Sequence, residues 1–388
     1  MRKISSAARC RQMAINHFLS TPATSVEQAA GALVGFHASD PASVFLAAWA
    51  RVADLTDTDL ETALYDDRTL ARTLGMRRTM FVTPLDVAAI LDAACAKALG
   101  ATERRKLERL VSEQLDIENA SDWIRSVETA VLAALRERGP STAAELTEVV
   151  PDLAHKVQFG AGKKWQGVMG ISTRVLFLLA TDARIVRGRP RGSWRSSLYE
   201  WAATDDWFGE GVFDREPGSA RVELVRRWLG AYGPGTFTDI QWWTGWTKGL
   251  TKQVLAEVDP EVVEVESGEA YVIDWAPADS PDTSWTALLP GLDVAVMGWK
   301  ERDWLLGDHA PLLFDRNGNV GPTVWAHGRV VGGWAQRTDG SIATEVFDDI
   351  GSDALSSVEA KAHDLSQWLG EHRIIPRFRT PTERRLTI

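Results

Sequence analysis

A theme stated twice constrains this chain more than any other feature. Gly139-Pro140-Ser141-Thr142 follows a long amphipathic stretch at about 122–138, and Gly233-Pro234-Gly235-Thr236 follows another at about 219–231. Gly-Pro ends the preceding helix in both places, because proline cannot donate the helical hydrogen bond and glycine tolerates the turn. A capping pattern then restarts the chain: Thr142 with Glu145, and Thr238 with Gln241 at the same spacing. Each restart leads to a second short helix and then to a run that reads as a two-stranded hairpin. Near the N-terminus, Ser25 with Gln28 repeats the cap ahead of residues 29–33. Helix, capped helix, helix, hairpin is the winged-helix order. Three such units in tandem are expected, the second and third more clearly marked than the first.

The last hundred residues read differently. Asn317-Gly318, His327-Gly328 and Asp339-Gly340 are turn signals between apolar, β-branched runs. The stretch 286–348 therefore reads as a meander, one of whose hairpins is placed to project toward a ligand. An amphipathic helix over 357–369 and a basic, proline-punctuated tail over 374–388 follow. The expected class is α+β, in segments 1–118, 119–215, 216–285 and 286–388.

A net charge of −10 argues against wholesale attraction to nucleic acid. The arginines, however, are gathered. Arg68, Arg72, Arg77 and Arg78 form one group, Arg184, Arg187, Arg189, Arg191 and Arg195 a second, and Arg373, Arg377, Arg379, Arg384 and Arg385 a third. Local groups set phosphate contacts even when the total is negative. The two predicted hairpins differ accordingly. Residues 185–194 carry Arg187-Gly188-Arg189-Pro190-Arg191-Gly192, a wing suited to phosphate or minor-groove contact. Residues 262–273 turn at Ser267-Gly268 and lie among Glu261, Glu264, Glu266 and Glu269, so that wing is assigned a structural role. With 17 tryptophans, most must be core; Trp242, Trp243 and Trp246 fall on two faces of one predicted helix, which points to burial between domains rather than base stacking.

Other classes are set aside by what is missing from the sequence. Cys10 and Cys95 alone build neither a disulfide framework nor a zinc site, and the seven histidines form no H-x-x-x-H pair. A reducing cytoplasm fits. No run approaches the roughly 18 apolar residues of a membrane span. Arg2, Lys3, Arg9 and Arg11 precede no long apolar region, so a signal peptide is not expected. Without a heptad pattern the default is a monomer with no obligate protein partner.

Chemistry is concentrated in Gly35-Phe36-His37-Ala38-Ser39-Asp40-Pro41. The residue before proline is pushed out of the α region, and Asp at the N-cap with Pro at the first helical position is a start signal. A helix over 42–51 is expected, with Val44, Phe45, Ala48 and Trp49 facing the core. Residues 37–40 should then be extended, so that His37 and Ser39 share one face beside a helix N-terminus. Positive potential there favours neutral imidazole, a base. The run from Arg72 to Phe81, basic and turn-containing, is suited to holding a phosphate backbone. Together the two segments point to an enzyme acting on nucleic acid.

The motifs GFHASDP, LYDDRTLARTLGMRRTMFVTP, LLPGLDVAVMGWKERD, FDRNGNVGPTVWAHGRVVGGW and IIPRF, in that order, resemble the winged-helix DNA glycosylases related to AlkZ and YcaQ, over essentially the whole chain. The resemblance implies three tandem winged helices and a β-rich C-terminal region around a concave DNA-binding channel. It implies excision of N7-alkylated guanine from duplex DNA, including crosslinks made by antibiotic-type alkylators, without a metal or organic cofactor, in repair or self-resistance at the nucleoid. Family members carry Gln-x-Gln or Gln-x-Asp where this chain has His37-Ala38-Ser39. His37 is then the expected base or water-positioner, with Ser39 assisting. The expected DNA contacts are Arg68, Arg72, Arg77, Arg78, Arg187, Arg189, Arg191 and Arg377. Two other readings stand beside this one. In the first, a non-catalytic winged-helix protein binds damaged DNA or regulates transcription, and His-x-Ser only packs a helix start. The second is an interaction module without DNA binding. Salt-dependent DNA binding separates the last from the others, and base release separates the first two.

Overall fold

Capped helix starts set the path of the chain. Thr142 and Glu145 form the expected reciprocal box, with the Glu145 carboxylate accepting the Thr142 amide at 2.7 Å, and the helix Ala143–Val149 begins there. In the other repeat the box forms two residues earlier than the spacing predicts. Thr236 and Asp239 make it, opening the helix Phe237–Thr244. The reason is tertiary: Gly235 is bridged to Tyr271, which makes Thr236 the last extended residue. Only glycine fits at 235, since a Cβ there would lie 2.3 Å from the Trp228 ring.

The computed structural model describes residues 1–160, 162–163, 166–275, 285–376 and 378–388. They form two compact units, Thr62–Arg221 and a discontinuous unit of Met1–Glu61 with Val222–Ile388. A reading by successive repeats does not anticipate that both ends of the chain build one unit. Arg377 lies outside the described residues. Among them, no helix is long and apolar enough to cross a membrane.

In Thr62–Arg221, the helix Ala120–Arg138, the strand Ser141–Thr142, the helices Ala143–Val149 and Ile171–Thr181, and the strands Ile185–Pro190 and Tyr199–Ala203 follow in order. Tyr199–Ala203 is the central strand, antiparallel to both others. The periodic apolar residues of the three helices, among them Ile124, Val131, Leu146, Val175 and Leu179, meet in one core. The basic hairpin returns only at Tyr199, so its loop is longer than a hairpin within 185–194. Upstream, Leu70–Leu74 and Met80–Pro84 pair antiparallel, Leu74 opposite Met80.

The discontinuous unit begins with Arg2–Lys3, a strand parallel to Glu261–Val265, which pairs in turn with Gly268–Val272. Arg2 meets Glu261 at 2.6 Å and Lys3 meets Glu264 at 3.2 Å, so carboxylates of the acidic hairpin are neutralised within the chain. The C-terminal sheet runs Thr286–Leu289, Thr323–Ala326, Arg329–Gln336, Ile342–Val346, all antiparallel. It is not a continuous meander. Short helices, Val294–Met297, Asp303–Leu306 and Ala310–Leu313, separate its first two strands. Asp293 starts the first of them by accepting the Ala295 amide at 2.8 Å. Asn317-Gly318 closes only a single bridge, Phe314 to Val320. The following helix is Ser352–Leu369, five residues longer at its start than expected, and the tail contains a capped helix, Pro381–Leu386.

Trp243 packs on Trp228 and Tyr232 of the preceding helix at 6.2 and 6.3 Å, so it is core within its own repeat rather than a residue between domains. Trp246 lies beyond Gly245, the left-handed cap of that helix, and the three tryptophans do not share one helix. Beside this aromatic core sits an ion pair with both side chains 0% exposed: Arg51 donates to the two Asp293 oxygens at 2.9 and 2.7 Å. Replacing Asp293→Asn leaves the Arg51 guanidinium buried without its counter-charge. The expected cost is roughly 3–5 kcal/mol of unfolding free energy, read in urea melts; a loss under about 1 kcal/mol would mean that packing, not the pair, holds this junction.

Candidate functional site

The segment carrying His37 is prepared from both sides. Ser25 caps the helix Val26–Ala32, accepting the Gln28 amide, and the helix ends at Leu33. The Leu33 carbonyl accepts the Tyr232 hydroxyl at 2.8 Å. Val34 then has φ 60° and Gly35 φ 123°. A buried β-branched residue in the left-handed region is strained, and such strain persists only where the surroundings over-determine it. The turn delivers Phe36–His37 as extended chain. Phe36 and Ala38 are buried, His37 is half-buried and Ser39 exposed, an alternation that sets His37 and Ser39 on the same face. Asp40 is the cap: its carboxylate accepts the Ala42 amide at 2.9 Å, with Pro41 at the first helical position of Pro41–Trp49. The Ser43 hydroxyl donates to the Gly291 carbonyl at 2.8 Å.

Below this segment lies the aromatic frame. The His17 ring stacks on Trp299 at 5.9 Å, meets Tyr232 edge-on at 5.0 Å, and its Nε2 lies 3.2 Å from the Ala231 carbonyl. Burial, and after it the Arg51 charge, pushes the His17 pKa down to about 3, against the Ala231 hydrogen bond. The ring is neutral at physiological pH and serves as scaffold.

The basic residues of Thr62–Arg221 are placed in three ways. Arg77 and Arg78 occupy the turn between Leu70–Leu74 and Met80–Pro84, both exposed and both left-handed, at φ 51° and 64°. Arg78 donates to Glu103 at 3.0 Å and lies over Phe177. Glu103 also takes Lys106 at 2.7 Å and Arg174 at 3.1 Å. Arg68 and Arg189 flank Tyr65. The first lies over Trp207 at 4.0 Å; the second lies over the Tyr65 ring and pairs with Asp66 at 2.9 Å. Arg191 pairs with Glu200 at 2.6 Å and Glu145 at 3.2 Å. Arg72 is 3% exposed, so here it reaches no surface phosphate. Its guanidinium lies over Tyr199 at 4.9 Å, and Arg187 lies over the same ring at 5.2 Å.

The glycine-arginine wing is thus not a bare cationic ribbon. The sequence reading missed its aromatic and acidic counterparts. Tyr199 and Trp201, two residues apart on the return strand, were the available signal for two of them.

Comparison with known proteins follows the same lines. The family described as DNA glycosylase AlkZ-like matches residues 30–368. An interstrand DNA cross-link repair glycosylase of Streptomyces sahachiroi is 27% identical over 170 residues, 41% of this chain and 45% of that protein, so the match spans less than half of the relative. The solved structure of the Streptomyces sahachiroi DNA glycosylase AlkZ has the same fold, with TM-score 0.72 and 20% identity over 96% of this chain and 98% of the other.

His17 makes the scaffold acid-sensitive. Its proton is bound more readily in the unfolded chain, near pH 6.5, than in the folded one, near 3. Its share of stability is complete above pH 6.5 and falls as pH drops toward 3, by about 2 kcal/mol at pH 5. Asp92, pushed up to about 7 by burial against the pull of Lys97, acts in the opposite sense. The measurement is therefore the difference between wild type and His17→Gln in urea melts at pH 7.5 and 5. The variant should lose about 2 kcal/mol less on acidification; equal losses would clear His17.

Proposed function

We propose that this chain, which belongs to the AlkZ-like DNA glycosylase family, hydrolyses the N-glycosidic bond of N7-alkylated guanine in duplex DNA, with bulky adducts and interstrand crosslinks in its range. The observation that carries the reading is His37 and Ser39 on one accessible face, in a segment fixed before and after by Tyr232 and Asp40.

The chemistry asks little of the protein. N7-alkylguanine is already cationic, so the leaving base needs no proton. What remains is to hold the developing sugar cation and direct a water to C1′. His37 takes the water proton or orients the water. Ser39 accepts or donates one hydrogen bond and is no base. Water is the nucleophile, so the activity is that of a monofunctional hydrolase.

In this reading the repeated helix–helix–hairpin segments, 1–118, 119–215 and 216–285, are winged helices, with 286–388 the β-rich region, together serving a DNA channel for a monomer. Arg77 and Arg78 hold the DNA backbone, and Arg68, Arg187, Arg189 and Arg191 add contacts. Exposed ion pairs are worth roughly 0–1 kcal/mol, so a phosphate can take over Arg189 or Arg191 at small cost.

The test is release of 7-methylguanine from methylated duplex DNA. His37→Ala should lower the rate by about 100-fold or more, the scale of one positioned base. Equal release from both proteins would remove His37 from the mechanism. No release from either, with DNA binding intact, would favour the non-catalytic DNA-binding reading. Arg77→Ala with Arg78→Ala should reduce the slope of log affinity against log salt by about 2; an unchanged slope would remove the pair from the interface.

A further inference from the structure

The unit Thr62–Arg221 holds a cavity of about 300 Å³ among the hairpin Leu70–Leu74/Met80–Pro84, the helix Ile171–Thr181 and the strands Ile185–Pro190 and Tyr199–Ala203. Leu74, Met80, Leu176 and Trp201 form apolar parts of its wall. Arg72, Arg78 and Arg187 also line it, and the described lining includes no carboxylate. Two of these guanidiniums share one ring, Arg72 at 4.9 Å and Arg187 at 5.2 Å from the centroid of Tyr199, and Arg187 also lies 5.5 Å from that of Trp201. Arg72 is buried, so its charge acts through a low-dielectric wall. Burial first and the Arg72 charge second pull the Arg187 pKa below its ordinary value. An anion in the cavity relieves that repulsion and gains charge-assisted hydrogen bonds.

We propose that this cavity binds a planar aromatic monoanion, an aryl carboxylate of one or two rings, with the ring against Trp201 and Leu176 and the carboxylate toward Arg187 and Arg72. The volume is at the lower end of ligand pockets, roughly 300–1,000 Å³, which suits such an acid. The proposal goes beyond base excision and does not depend on it. A free acid and an acid carried on a DNA adduct present the same chemistry, and the assay separates them.

The probes are 2-naphthoate and its neutral isostere 2-naphthamide, titrated calorimetrically into the full chain. Naphthoate should bind at least about tenfold more tightly than the amide. Arg187→Gln should weaken naphthoate about tenfold and leave the amide unchanged, and Leu176→Trp, which fills the cavity, should abolish both. Equal affinity for acid and amide overturns the proposal, as does naphthoate binding that neither substitution alters. If either variant fails to fold, the acid–amide comparison on the unmodified chain still decides. Base release is measured separately, so failure here and failure of the glycosylase reading are distinguishable. Naphthoate that slows release of an aryl-carboxylate guanine adduct but not of 7-methylguanine assigns the site to the adduct. Naphthoate that binds and slows neither assigns it to a free acid.

Discussion

The discontinuous unit depends on one buried ion pair. Arg51 and Asp293 are 242 residues apart in sequence, and neither side chain is exposed. Removing two such charges from water costs several kcal/mol per ion, and mutual attraction offsets this only when the geometry is good and the remaining polar atoms are satisfied. Both conditions hold. The contact is bidentate, Arg51 also donates to the carbonyls of His17 and Ala47, and Asp293 accepts the Ala295 amide. The pair therefore fixes three chain directions at once: the exit from Ser6–Asn16, the end of Pro41–Trp49 and the start of Val294–Met297. An apolar pair of the same volume would fill the space without specifying those directions.

His37 precedes the other end of Pro41–Trp49, a helix about 13 Å long at 1.5 Å per residue. The segment between helices is short and held at each end. Tyr232 grips the Leu33 carbonyl before the strained Val34, while Asp40 caps the helix and Ser43 ties its first turn to Gly291. Little freedom is left for residues 36–39. In the proposed reaction the leaving group is already activated, so preorganisation of this kind counts for more than acid or base strength. In the proposed reaction, that is the physical ground for assigning His37 and Ser39 the placing of water.

Features decided within a few residues were legible in the sequence. Asp40-Pro41 and Thr142 with Glu145 are such cases, since each cap is made by an amide two or three residues on. The same logic failed at 236–241, where two overlapping capping patterns exist and the choice falls to Gly235 pairing with Tyr271. The insertion of helices after Thr286–Leu289 was illegible for a related reason: an Asn-Gly turn signal does not say what it connects. The basic clusters were misleading in a different way. Sequence spacing shows an arginine its like-charged neighbours, whereas its partners are remote. Asp66 is 123 residues from Arg189, and the Trp207 carbonyl is 139 residues from Arg68. The acidic hairpin shows the converse, since its cations come from the first residues of the chain.

These pairings rank the basic groups as places for a polyanion. At the wing, two arginines, Arg189 and Arg191, face three carboxylates, Asp66, Glu145 and Glu200. A phosphate can displace a carboxylate there, but the displaced group remains within a Debye length, about 8–10 Å, and continues to repel it. At the turn the ratio is reversed. Among the described ion pairs, Glu103 takes Arg78, Lys106 and Arg174, three cations to one carboxylate. In a chain of net charge −10 the position of uncompensated charge matters more than the number of arginines. Within the proposed function, the Arg77–Arg78 turn, whose left-handed backbone holds two guanidiniums at the tip of a hairpin, is therefore the stronger candidate for a phosphate contact, and the glycine-arginine wing the weaker one.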